Sequence, residues 1–463
     1  MTDHMTPEEF RRRGYEVVDW VASYLERVGD LPVMADVEPG AIAARLPDRA
    51  PERGESFDRL LADLDDIVLP GITNWQSPNW YAYFPANASP PSILAELASA
   101  GIGAQGMLWS TSPALTEIEG VVLDWLVDLM GLPSGWKMAG PGGGVIQMSA
   151  SDATHTMLVV ARHQRRERAA AEDMVVYVSN QAHFSIQKGC TVAGIGHCRL
   201  IDVDETFAMD PMALVSAVED DIAAGLTPIA VVSAVGTTGT TAVDPLEAIS
   251  AIAEDHDLWH HVDAAYAGTA MVCEEFRRHQ PGLDRVDSYT FNPHKWMMVN
   301  FDCNVLWVAD RTPLIDTMSI LPPIMRNAAT DAGAVVDYRD WHVPLGRRFR
   351  ALKLWWVIRS YGAEGLRAFV REHVRLADEF ATRIEADDRF AVFAPHPLGL
   401  VCFTHVEGNE ATRALAASIN DSGKAAVTAS ELEGTAFIRV SIGQTYQTAR
   451  HVDALWSLID SIG

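Results

Sequence analysis

A lysine close to a proline is the first residue in this sequence whose setting suggests chemistry. The run Asn-Pro-His-Lys at residues 292–295 follows a short strand-like run at residues 287–291. Proline fixes its own backbone angle, so Lys295 can be held out of a regular element and directed at a pocket. There, a lysine amine can form an imine with an aldehyde. Because most lysines are solvated surface charges, this run needs support from other segments.

An aspartate at the end of a predicted strand supplies a negative charge. Asp263 follows the apolar run at residues 258–262 and precedes the small residues Ala264 and Ala265. Open α/β sheets bind their ligands at this end of the strands. A carboxylate there can pair with a protonated pyridine nitrogen, which keeps a cofactor ring ready to accept electrons. The alternative for a lone aspartate at a strand end is a helix cap.

A glycine-rich run provides a seat for an anion. Three glycines at residues 142–144 precede Ser149, Ala150 and Ser151, and a helical pattern follows at residues 152–162. Glycine permits close approach of the backbone, and free amides with hydroxyls at a helix N-terminus bind phosphate. The alternative is a flexible turn with a serine cap.

Two further segments bring polar side chains to the same edge of the predicted sheet. His183 follows a strand-like run that ends near residue 178, and Thr238 follows one that ends at residue 235. A histidine there could stack on a pyridine ring and contact a substrate carboxylate, and a threonine hydroxyl could contact the phenolic side of the ring. Separately, each is explained as well by local hydrogen bonds in a loop. Together, the five segments predict a site for pyridoxal 5′-phosphate (PLP) with its aldehyde on Lys295.

The elements that must position these residues alternate between helix and strand. From about residue 115 to 310, helical periodicity alternates with short β-branched runs at residues 174–178, 229–235, 258–262 and 305–308. Runs that are apolar on both faces are typical of strands covered by helices on both sides. The order strand, helix, strand implies right-handed crossovers. The sequence therefore predicts an α/β fold with a mostly parallel sheet.

Cap signatures and changes of pattern predict the helix starts and the domains. The runs at residues 6–9 and 244–247 each combine a capping residue, a proline and a glutamate, so each predicts a helix start, at Thr6 and Asp244. The first of these helices carries an apolar stripe that must dock onto something. We predict three segments, listed here in chain order: an N-terminal helical arm (1–85), a large PLP-binding domain (86–345) and a small C-terminal α/β domain (346–463).

Composition excludes several classes of function. A formal net charge of −26 repels a phosphate backbone, so nucleic acid is not an expected ligand. The five cysteines include no C-x-x-C pair, and His260 falls in a predicted strand rather than on the helix of His256, so we expect neither disulfides nor a metal site. The sequence contains neither a secretory signal nor an apolar run long enough for a membrane span. We expect a soluble, cytoplasmic protein.

Taken together, these segments resemble the group II PLP-dependent decarboxylases, and most closely the aromatic L-amino acid decarboxylases of animals and plants. The likeness covers nearly the whole chain, in the runs at residues 10–14, 70–75, 83–85, 112–114, 142–151, 181–183, 261–268, 292–296, 300–303 and 344–350. The resemblance implies the aspartate aminotransferase-like PLP-dependent transferase fold (fold type I), with a smaller C-terminal α/β domain. It also implies a homodimer whose active sites lie at the subunit boundary.

The resemblance also implies a role for each matching position. Lys295 is implied as the Schiff-base lysine, Asp263 as the partner of the pyridine nitrogen, His183 as the residue stacked on the ring and Thr238 as a neighbour of ring and substrate. The residues implied around the phosphate are Ser149, Ala150, Ser151, Asn292 and His294. The residues implied in the substrate pocket are Trp75, Tyr83, Phe84 and Pro85, with Gln105 and Met107 entering from the partner subunit.

Three positions bear on substrate and product. Gly346 stands where histidine decarboxylases and some plant tyrosine decarboxylases resemble each other in having serine. Glycine at this position leaves room for a larger ring, which favours an indole or catechol side chain over imidazole. Ala86 stands where the family often has threonine. An ungapped alignment puts Ile324 where the family's mobile loop has the tyrosine thought to return a proton to Cα after CO2 leaves. Isoleucine donates no proton, so His183, a water or Tyr338 would have to substitute.

We therefore expect decarboxylation of an aromatic L-amino acid, of the tryptophan, 5-hydroxytryptophan, DOPA, tyrosine or phenylalanine class, to the amine and CO2. The alternative is an aromatic aldehyde synthase, which couples decarboxylation to oxidative deamination. A non-catalytic paralogue that binds PLP for stability alone is disfavoured by the intact set of Lys295, Asp263 and His183.

Overall fold

The computed structural model describes residues 4–320 and 335–462, which form two sheets with helices packed around them. The helices are Pro7–Arg27, Phe57–Asp63, Pro90–Ile102, Pro113–Met130, Ala150–Arg165, Ser185–Ala193, Pro211–Ala223, Leu246–Asp255, Pro293–Trp296, Thr312–Met318, Arg350–Glu385, Asn409–Asp421 and Ala449–Ile462. The strands are β1 (Gly143–Gln147), β2 (Met174–Ser179), β3 (His197–Ile201), β4 (Thr227–Ala234), β5 (Trp259–Asp263), β6 (Ser288–Phe291), β7 (Asn304–Val308), β8 (Phe390–Val392), β9 (Leu400–His405), β10 (Thr428–Leu432) and β11 (Thr435–Ser441).

The larger sheet has the strand order β1-β7-β6-β5-β4-β2-β3. All its neighbouring strands are parallel except β7, which runs antiparallel to both β1 and β6. Every residue of β1, β2, β6 and β7 is buried, because helices cover both faces of the sheet. The predicted α/β fold with a mostly parallel central sheet is confirmed.

Strand register brings the predicted site residues to one edge of this sheet. Ala234 at the end of β4 pairs with Asp263 at the end of β5, and Asp263 pairs with Thr290 of β6. The loop after β4 carries Thr238, and the turn after β6 leads to Lys295. Parallel strands end on the same side, so three separate stretches of chain converge there.

The smaller sheet, of order β10-β11-β9-β8, is antiparallel and belongs to the C-terminal part of the chain. The helices Arg350–Glu385, Asn409–Asp421 and Ala449–Ile462 pack against it around a buried apolar cluster. The first of these helices is kinked at Gly362, whose φ of 66° lies in the left-handed region. The predicted smaller C-terminal α/β unit is therefore present, while the domain limits at residues 85 and 345 remain predictions.

Helix Pro7–Arg27 begins where its sequence predicts. The side chain of Thr6 accepts a hydrogen bond of 3.2 Å from the amide of Glu9. No residue of this helix is buried, and Phe10 on its apolar stripe is 62% exposed. The stripe is therefore only partly covered by the described part of the chain: Phe10, Val17 and Val18 are exposed, whereas Val21 and Leu25 are half-buried.

The structure corrects two sequence predictions. Asp244 does not cap the helix that follows it, which begins at Leu246; instead its carboxylate accepts hydrogen bonds from the amides of Met209 (2.8 Å) and Ala234 (2.7 Å). A buried amide must find its acceptor within the protein, whereas the amides of a solvated helix end can donate to water. Burial raises the pKa of Asp244 to about 6.

The second correction concerns the glycine-rich run, which the sequence predicts as part of an anion seat: residues 143 and 144 lie in strand β1 instead, so the alternative of a flexible turn does not apply to them either. A Cβ atom at Gly144 would lie 2.7 Å from Nε1 of Trp307, and one at Gly143 would lie 2.6 Å from the ring of Trp341. The glycines are thus needed for close packing of β1 against two indole rings. Their link to the phosphate seat is indirect, since β1 delivers the chain to Ser149.

Candidate active site

A cavity of about 150 Å³ lies at the carboxyl ends of the parallel strands. Nine of the predicted site residues line it: Phe84, Ser149, Ala150, Ser151, His183, Thr238, Asp263, Asn292 and Lys295. The other lining residues are Ser185, Ala234, Gly236, Thr237, Ala265 and Tyr266.

Lys295 enters this cavity from the short helix Pro293–Trp296, directly after β6. Its amide donates to the carbonyl of Asn292 at 3.0 Å, and its Nζ lies 5.3 Å from the centre of the Phe84 ring. Burial lowers the pKa of Lys295, the charge of Asp263 partly opposes this, and the positive charge of Arg439 lowers the pKa further. A larger fraction of the amine is therefore uncharged and nucleophilic.

Asp263 is held at the end of β5 by its neighbours. Its Oδ1 accepts a hydrogen bond of 2.9 Å from the amide of Ala265, and the amide of Ala264 is bonded to the carbonyl of Thr290 at 2.9 Å. These bonds fix the carboxylate at the edge of the cavity. In the described part of the chain no group donates to Oδ2, which leaves that oxygen able to accept from a ligand.

The N-terminus of helix Ala150–Arg165 forms one wall of the cavity. The Ser149 hydroxyl caps it by accepting from the amide of Asp152 at 3.1 Å, while Ala150 and Ser151 occupy the first turn. Asn292, which follows β6 and also lines the cavity, is oriented by Asn304, whose Nδ2 donates to the Asn292 Oδ1 at 2.8 Å. Amides at a helix start with adjacent polar side chains fit an anion such as phosphate.

His183 is half-buried, and its ring is oriented by Ser185. The Nδ1 atom of His183 accepts from the Ser185 amide at 3.2 Å and lies 2.7 Å from the Ser185 hydroxyl. A backbone amide can only donate, so neutral His183 carries its proton on Nε2. Burial lowers the pKa of His183, Asp263 raises it in part, and Lys295 lowers it further, which favours the neutral ring.

Aromatic rings form the floor of the cavity. Phe84 stacks on Tyr266 with ring centres 4.0 Å apart, and Tyr266 stacks on Trp296 at 4.9 Å. All three side chains are buried. Thr238 lines the cavity from its exposed rim.

His294 lies outside the lining, although the resemblance implies that it contacts phosphate. Its Nδ1 accepts from the amide of Cys303 at 2.9 Å, and its ring packs on Phe301 with centres 4.5 Å apart. Burial lowers its pKa to about 3. In this conformation His294 orders the turn that carries Lys295.

Three of the predicted substrate residues, Trp75, Tyr83 and Pro85, do not line the cavity. Trp75 and Tyr83 stack on each other with centres 5.8 Å apart and are both exposed. Pro85 is buried, and its Cγ is 3.1 Å from where a Cβ of Gly443 would stand.

Three further predicted substrate residues, Gln105, Met107 and Gly346, form a separate strip that does not line the cavity. Gln105 is exposed, and its Oε1 accepts from the amide of Arg347 at 2.7 Å. A Cβ atom at Gly346 would lie 3.3 Å from Nε2 of Gln105, and Met107 is bonded through its carbonyl to the Arg339 amide. The structure thus brings Gln105 and Gly346 together outside this chain's own cavity. Ile324 lies outside the described residues.

Sequence reasoning missed six lining residues, of which Ser185 and Tyr266 make the contacts described above, and it missed Arg439, which lies behind the lining with its guanidinium 5.2 Å from the centre of the Phe84 ring. Ser185 and Tyr266 are close in sequence to His183 and Asp263, which were predicted as site residues. This closeness in sequence was the signal that could have identified them. Arg439 lies in β11, about 140 residues after Lys295, in a run that reads only as an apolar strand. No local pattern marks it.

The residues present fit PLP. The cavity combines a lysine amine for an aldehyde, a carboxylate for a pyridine nitrogen, a helix start for a phosphate and an aromatic floor. Across the described ranges 4–320 and 335–462, no group of three or more His, Cys, Asp or Glu side chains could hold a metal ion. In the same ranges no helix has the length and apolar character needed to cross a membrane.

Comparison with known proteins identifies the class. Residues 39–406 match the pyridoxal-dependent decarboxylase conserved domain. The chain belongs to this family and is a PLP-dependent carboxy-lyase.

The relatives come from plants and animals. Phenylacetaldehyde synthase of Arabidopsis thaliana is 42% identical over 98% of this chain and 96% of its own. Aromatic-L-amino-acid decarboxylase of Cavia porcellus is 42% identical over 98% and 97%. The crystal structure of Oryza sativa TDC with PLP and tryptamine superposes with a TM-score of 0.98 at 36% identity, covering 100% of this chain and 99% of that one. Because the chain is equally similar to a synthase and to a decarboxylase, similarity alone does not decide whether it releases an aldehyde or an amine.

The orientation of His183 gives a prediction. Ser185→Ala removes one of two groups that hold Nδ1, and a net hydrogen bond of about 0.5–1.5 kcal/mol corresponds to a loss of roughly two- to twelvefold in kcat. Ser185→Thr, which keeps the hydroxyl, should retain most activity. Ser250→Ala is the matched control, because the Ser250 hydroxyl lies 3.0 Å from Nδ1 of the buried His260, which does not line the cavity.

Steady-state kinetics on the PLP-loaded variants checks this. Equal losses in Ser185→Ala and Ser250→Ala would show a general packing effect and contradict the role given to Ser185.

Proposed function

We propose that this enzyme removes CO2 from an aromatic L-amino acid and releases the corresponding amine. The observation that carries the proposal is the single cavity in which the Lys295 amine, the Asp263 carboxylate and the His183 ring meet above an aromatic floor. The family supplies the decarboxylase chemistry. The names of the relatives, which refer to aromatic amino acids and their products, support an aromatic side chain.

Each side chain has a task that its position supports. When bound, PLP supplies an aldehyde for the substrate's amino group and a ring that accepts the electrons left by CO2. Lys295 would hold that aldehyde, Asp263 would keep a proton on the pyridine nitrogen, and the helix start at Ser149 would hold the phosphate. His183 would cover the ring and present its Nε2 proton to the substrate carboxylate, while Thr238 would contact ring and substrate from the rim.

The substrate pocket is proposed from aromatic and small residues near the cavity. Phe84 provides the floor, and the exposed rings of Trp75 and Tyr83 stand beside it. Gln105 and Met107 would complete the pocket of the partner subunit. Gly346 lies against Gln105, where a serine would press on the glutamine amide, so glycine favours a large ring such as indole or catechol.

The active unit is proposed to be a homodimer in the cytoplasm. Helix Pro7–Arg27 carries an apolar stripe with no buried residue, and Leu97 and Ile102 of helix Pro90–Ile102 are also more than half exposed. Exposed apolar surface of this kind is typical of a protein interface. The exposed strip around Gln105 would then face the other subunit's cavity. The arm (1–85), large domain (86–345) and small domain (346–463) are part of this proposal.

Aldehyde formation is the second candidate, and the phenylacetaldehyde synthase relative favours it. A carbanion at Cα that is not protonated can react with O2, so that amino acid, O2 and water give aldehyde, CO2, ammonia and hydrogen peroxide. Tyr338 does not line the cavity of its own chain, and its buried hydroxyl has no partner among the described residues. His183 or a water therefore remains to replace the phenol that Ile324 lacks.

Product analysis decides between amine and aldehyde. The purified enzyme is incubated with tryptophan, 5-hydroxytryptophan, DOPA, tyrosine, phenylalanine and histidine while amine, aldehyde, CO2 and peroxide are measured. We expect amine as the main product, with a measurable leak to aldehyde and peroxide that Ile324→Tyr reduces by restoring a positioned acid. Stoichiometric aldehyde and peroxide would replace the proposal with the synthase. Amine alone, unchanged by Ile324→Tyr, would remove the importance given to residue 324.

The role of Lys295 is tested by trapping. Borohydride reduction of the resting enzyme followed by peptide mass spectrometry should place the phosphopyridoxyl group on Lys295, because its amine alone among the described lysines lines the cavity. Lys188 is a useful comparison because it lies on the nearby helix Ser185–Ala193 but is exposed. A label on Lys188 or any other lysine would end the assignment.

The oligomer is tested by analytical ultracentrifugation at the working concentration, where we expect a dimer. Phe10→Asp puts a charge on the exposed stripe and should shift the equilibrium toward monomer, whereas Val406→Asp changes an exposed apolar residue of the C-terminal sheet region and should not. A fully active monomer would contradict both the interface and the roles of Gln105 and Met107.

A further inference from the structure

Arg439 is a buried cation beside the active site. It lies in β11 of the C-terminal sheet, and only 4% of its surface is exposed. Within the described ranges it forms no salt bridge; its acceptors are backbone carbonyls. A buried charge without a counter-charge costs free energy, so it is retained where its contacts serve a purpose.

The side-chain hydrogen bonds and the ring contact of Arg439 lead to segments at the rim and floor of the cavity. Its Nε donates to the carbonyl of Gly239 at 2.8 Å, and its Nη2 donates to the carbonyl of Thr238 at 2.8 Å. Its guanidinium lies 5.2 Å from the centre of the Phe84 ring, the ring that also faces Nζ of Lys295. One side chain from the C-terminal sheet thus joins two segments that line the site.

The backbone of Tyr83 provides an independent reason for this contact. Tyr83 has a φ of 54°, in the left-handed region that bulky side chains rarely occupy. Its amide donates to the Thr428 hydroxyl at 2.8 Å, and its carbonyl accepts from Nη2 of Arg439 at 3.4 Å. Both partners belong to the C-terminal sheet, so that sheet holds Tyr83 and the adjacent Phe84 in place.

Arg439 also acts on Lys295 through its charge. Besides Arg439, the charged and titratable groups around Lys295 are Asp263 on β5, His183 after β2 and Tyr266 after β5, which line the cavity with it, and His294, which lies on its own turn outside the lining. Lowered pKa values favour the neutral form of both histidines, so Asp263 and Arg439 are the opposing charges. A nearby positive charge disfavours a second one, so Arg439 favours the uncharged amine.

We propose that Arg439 is a positioning residue that fastens the Thr238–Gly239 and Tyr83–Phe84 segments around the site and brings a positive charge to the Phe84 ring that the amine of Lys295 also faces. The proposal rests on the assignment of Lys295 as the residue that holds PLP. It separates into two effects, because the guanidinium fork makes the hydrogen bonds and the charge acts on the amine.

Three variants separate these effects. Arg439→Met removes both the charge and the fork. Arg439→Lys keeps the charge but cannot reach three carbonyls with the same planar geometry. Arg277→Met is the matched control, since Arg277 also donates to two carbonyls, of Met271 (3.1 Å) and Leu129 (2.9 Å), and does not line the cavity.

Two rates are measured on the full-length enzyme. The first is the rate at which added PLP recombines with enzyme freed of cofactor, determined as a function of pH, with the modified lysine identified by borohydride trapping. The second is the rate at which the loaded enzyme releases PLP. Arg439→Met should move the midpoint of the rate about one unit to higher pH, because loss of a like charge raises the pKa of the amine. Arg439→Lys should keep the wild-type midpoint but release PLP roughly tenfold faster, as expected for the loss of about 1.4 kcal/mol of hydrogen bonding. Arg277→Met should change neither.

Each result supports or overturns the proposal. An unchanged midpoint and unchanged release in folded Arg439→Met would overturn it. So would a rise in substrate KM, reversed by Arg439→Lys, with recombination unaffected, because Arg439 would then bind substrate directly. If Arg439→Met does not fold, wild-type PLP release by Arg439→Lys overturns the clamp, and the proposal with it. A label on a lysine other than Lys295 instead contradicts the assignment of Lys295, separately from the role of Arg439.

Discussion

The structure depends on one electrostatic constraint: a lysine amine whose pKa is lowered by burial and a carboxylate share a small cavity. Left to themselves, Lys295 and Asp263 would form an ion pair, with the amine protonated and unreactive. Burial is the largest influence that lowers the pKa of Lys295, and Arg439 adds to it against the pull of Asp263. Other features of the site can be understood as ways to maintain this balance.

The parallel sheet meets the constraint by spacing the two groups along its edge. Asp263 ends β5 and Lys295 follows β6, so each is fixed by a different strand rather than by contact with the other. The Asp263 carboxylate is committed through Oδ1 to the Ala265 amide, which holds it in position. Rigid elements thus carry the reactive groups, which is the arrangement that keeps such geometry precise.

The two sheets supply different groups to the site. The large sheet supplies the amine, the carboxylate and the helix start at Ser149, while the C-terminal sheet supplies Arg439 and Thr428, which hold the rim. A partner subunit, in our proposal, supplies the rest of the substrate pocket. Under this proposal, cofactor chemistry and substrate choice depend on different parts of the protein.

Short-range patterns in the sequence predicted the features that a single segment contains. The apolar run before Asp263 and the proline before Lys295 located both residues at strand ends, and the α/β alternation predicted the sheet that brings them together. Arg439 escaped prediction because its partners lie about 200 and 356 residues away in the chain. Asp244 was misread for a related reason, since a cap signature cannot reveal that amides 10 and 35 residues earlier in the chain use the same carboxylate.

His294 and the strip around Gln105 show the same limit of sequence-based prediction. The resemblance placed His294 near the phosphate, but its hydrogen bond to Cys303 depends on how the chain turns after Lys295. Gln105 and Gly346 were predicted without any sign that they touch each other, because contact between residues 241 positions apart is a tertiary property. Sequence identifies such residues, and only packing shows what they contact.

The most direct test of this account concerns the carboxylate. Asp263→Asn keeps the shape of the side chain and removes the charge, and Asp263→Ala removes both, while Lys295 remains to hold PLP. The measurement is the rate of CO2 release per PLP-loaded site. We expect both variants to bind PLP and to lose on the order of a hundredfold or more in that rate, since electrostatic stabilisation of developing charge is typically worth this much. Near-normal CO2 release from a PLP-loaded Asp263→Ala enzyme would contradict the central claim.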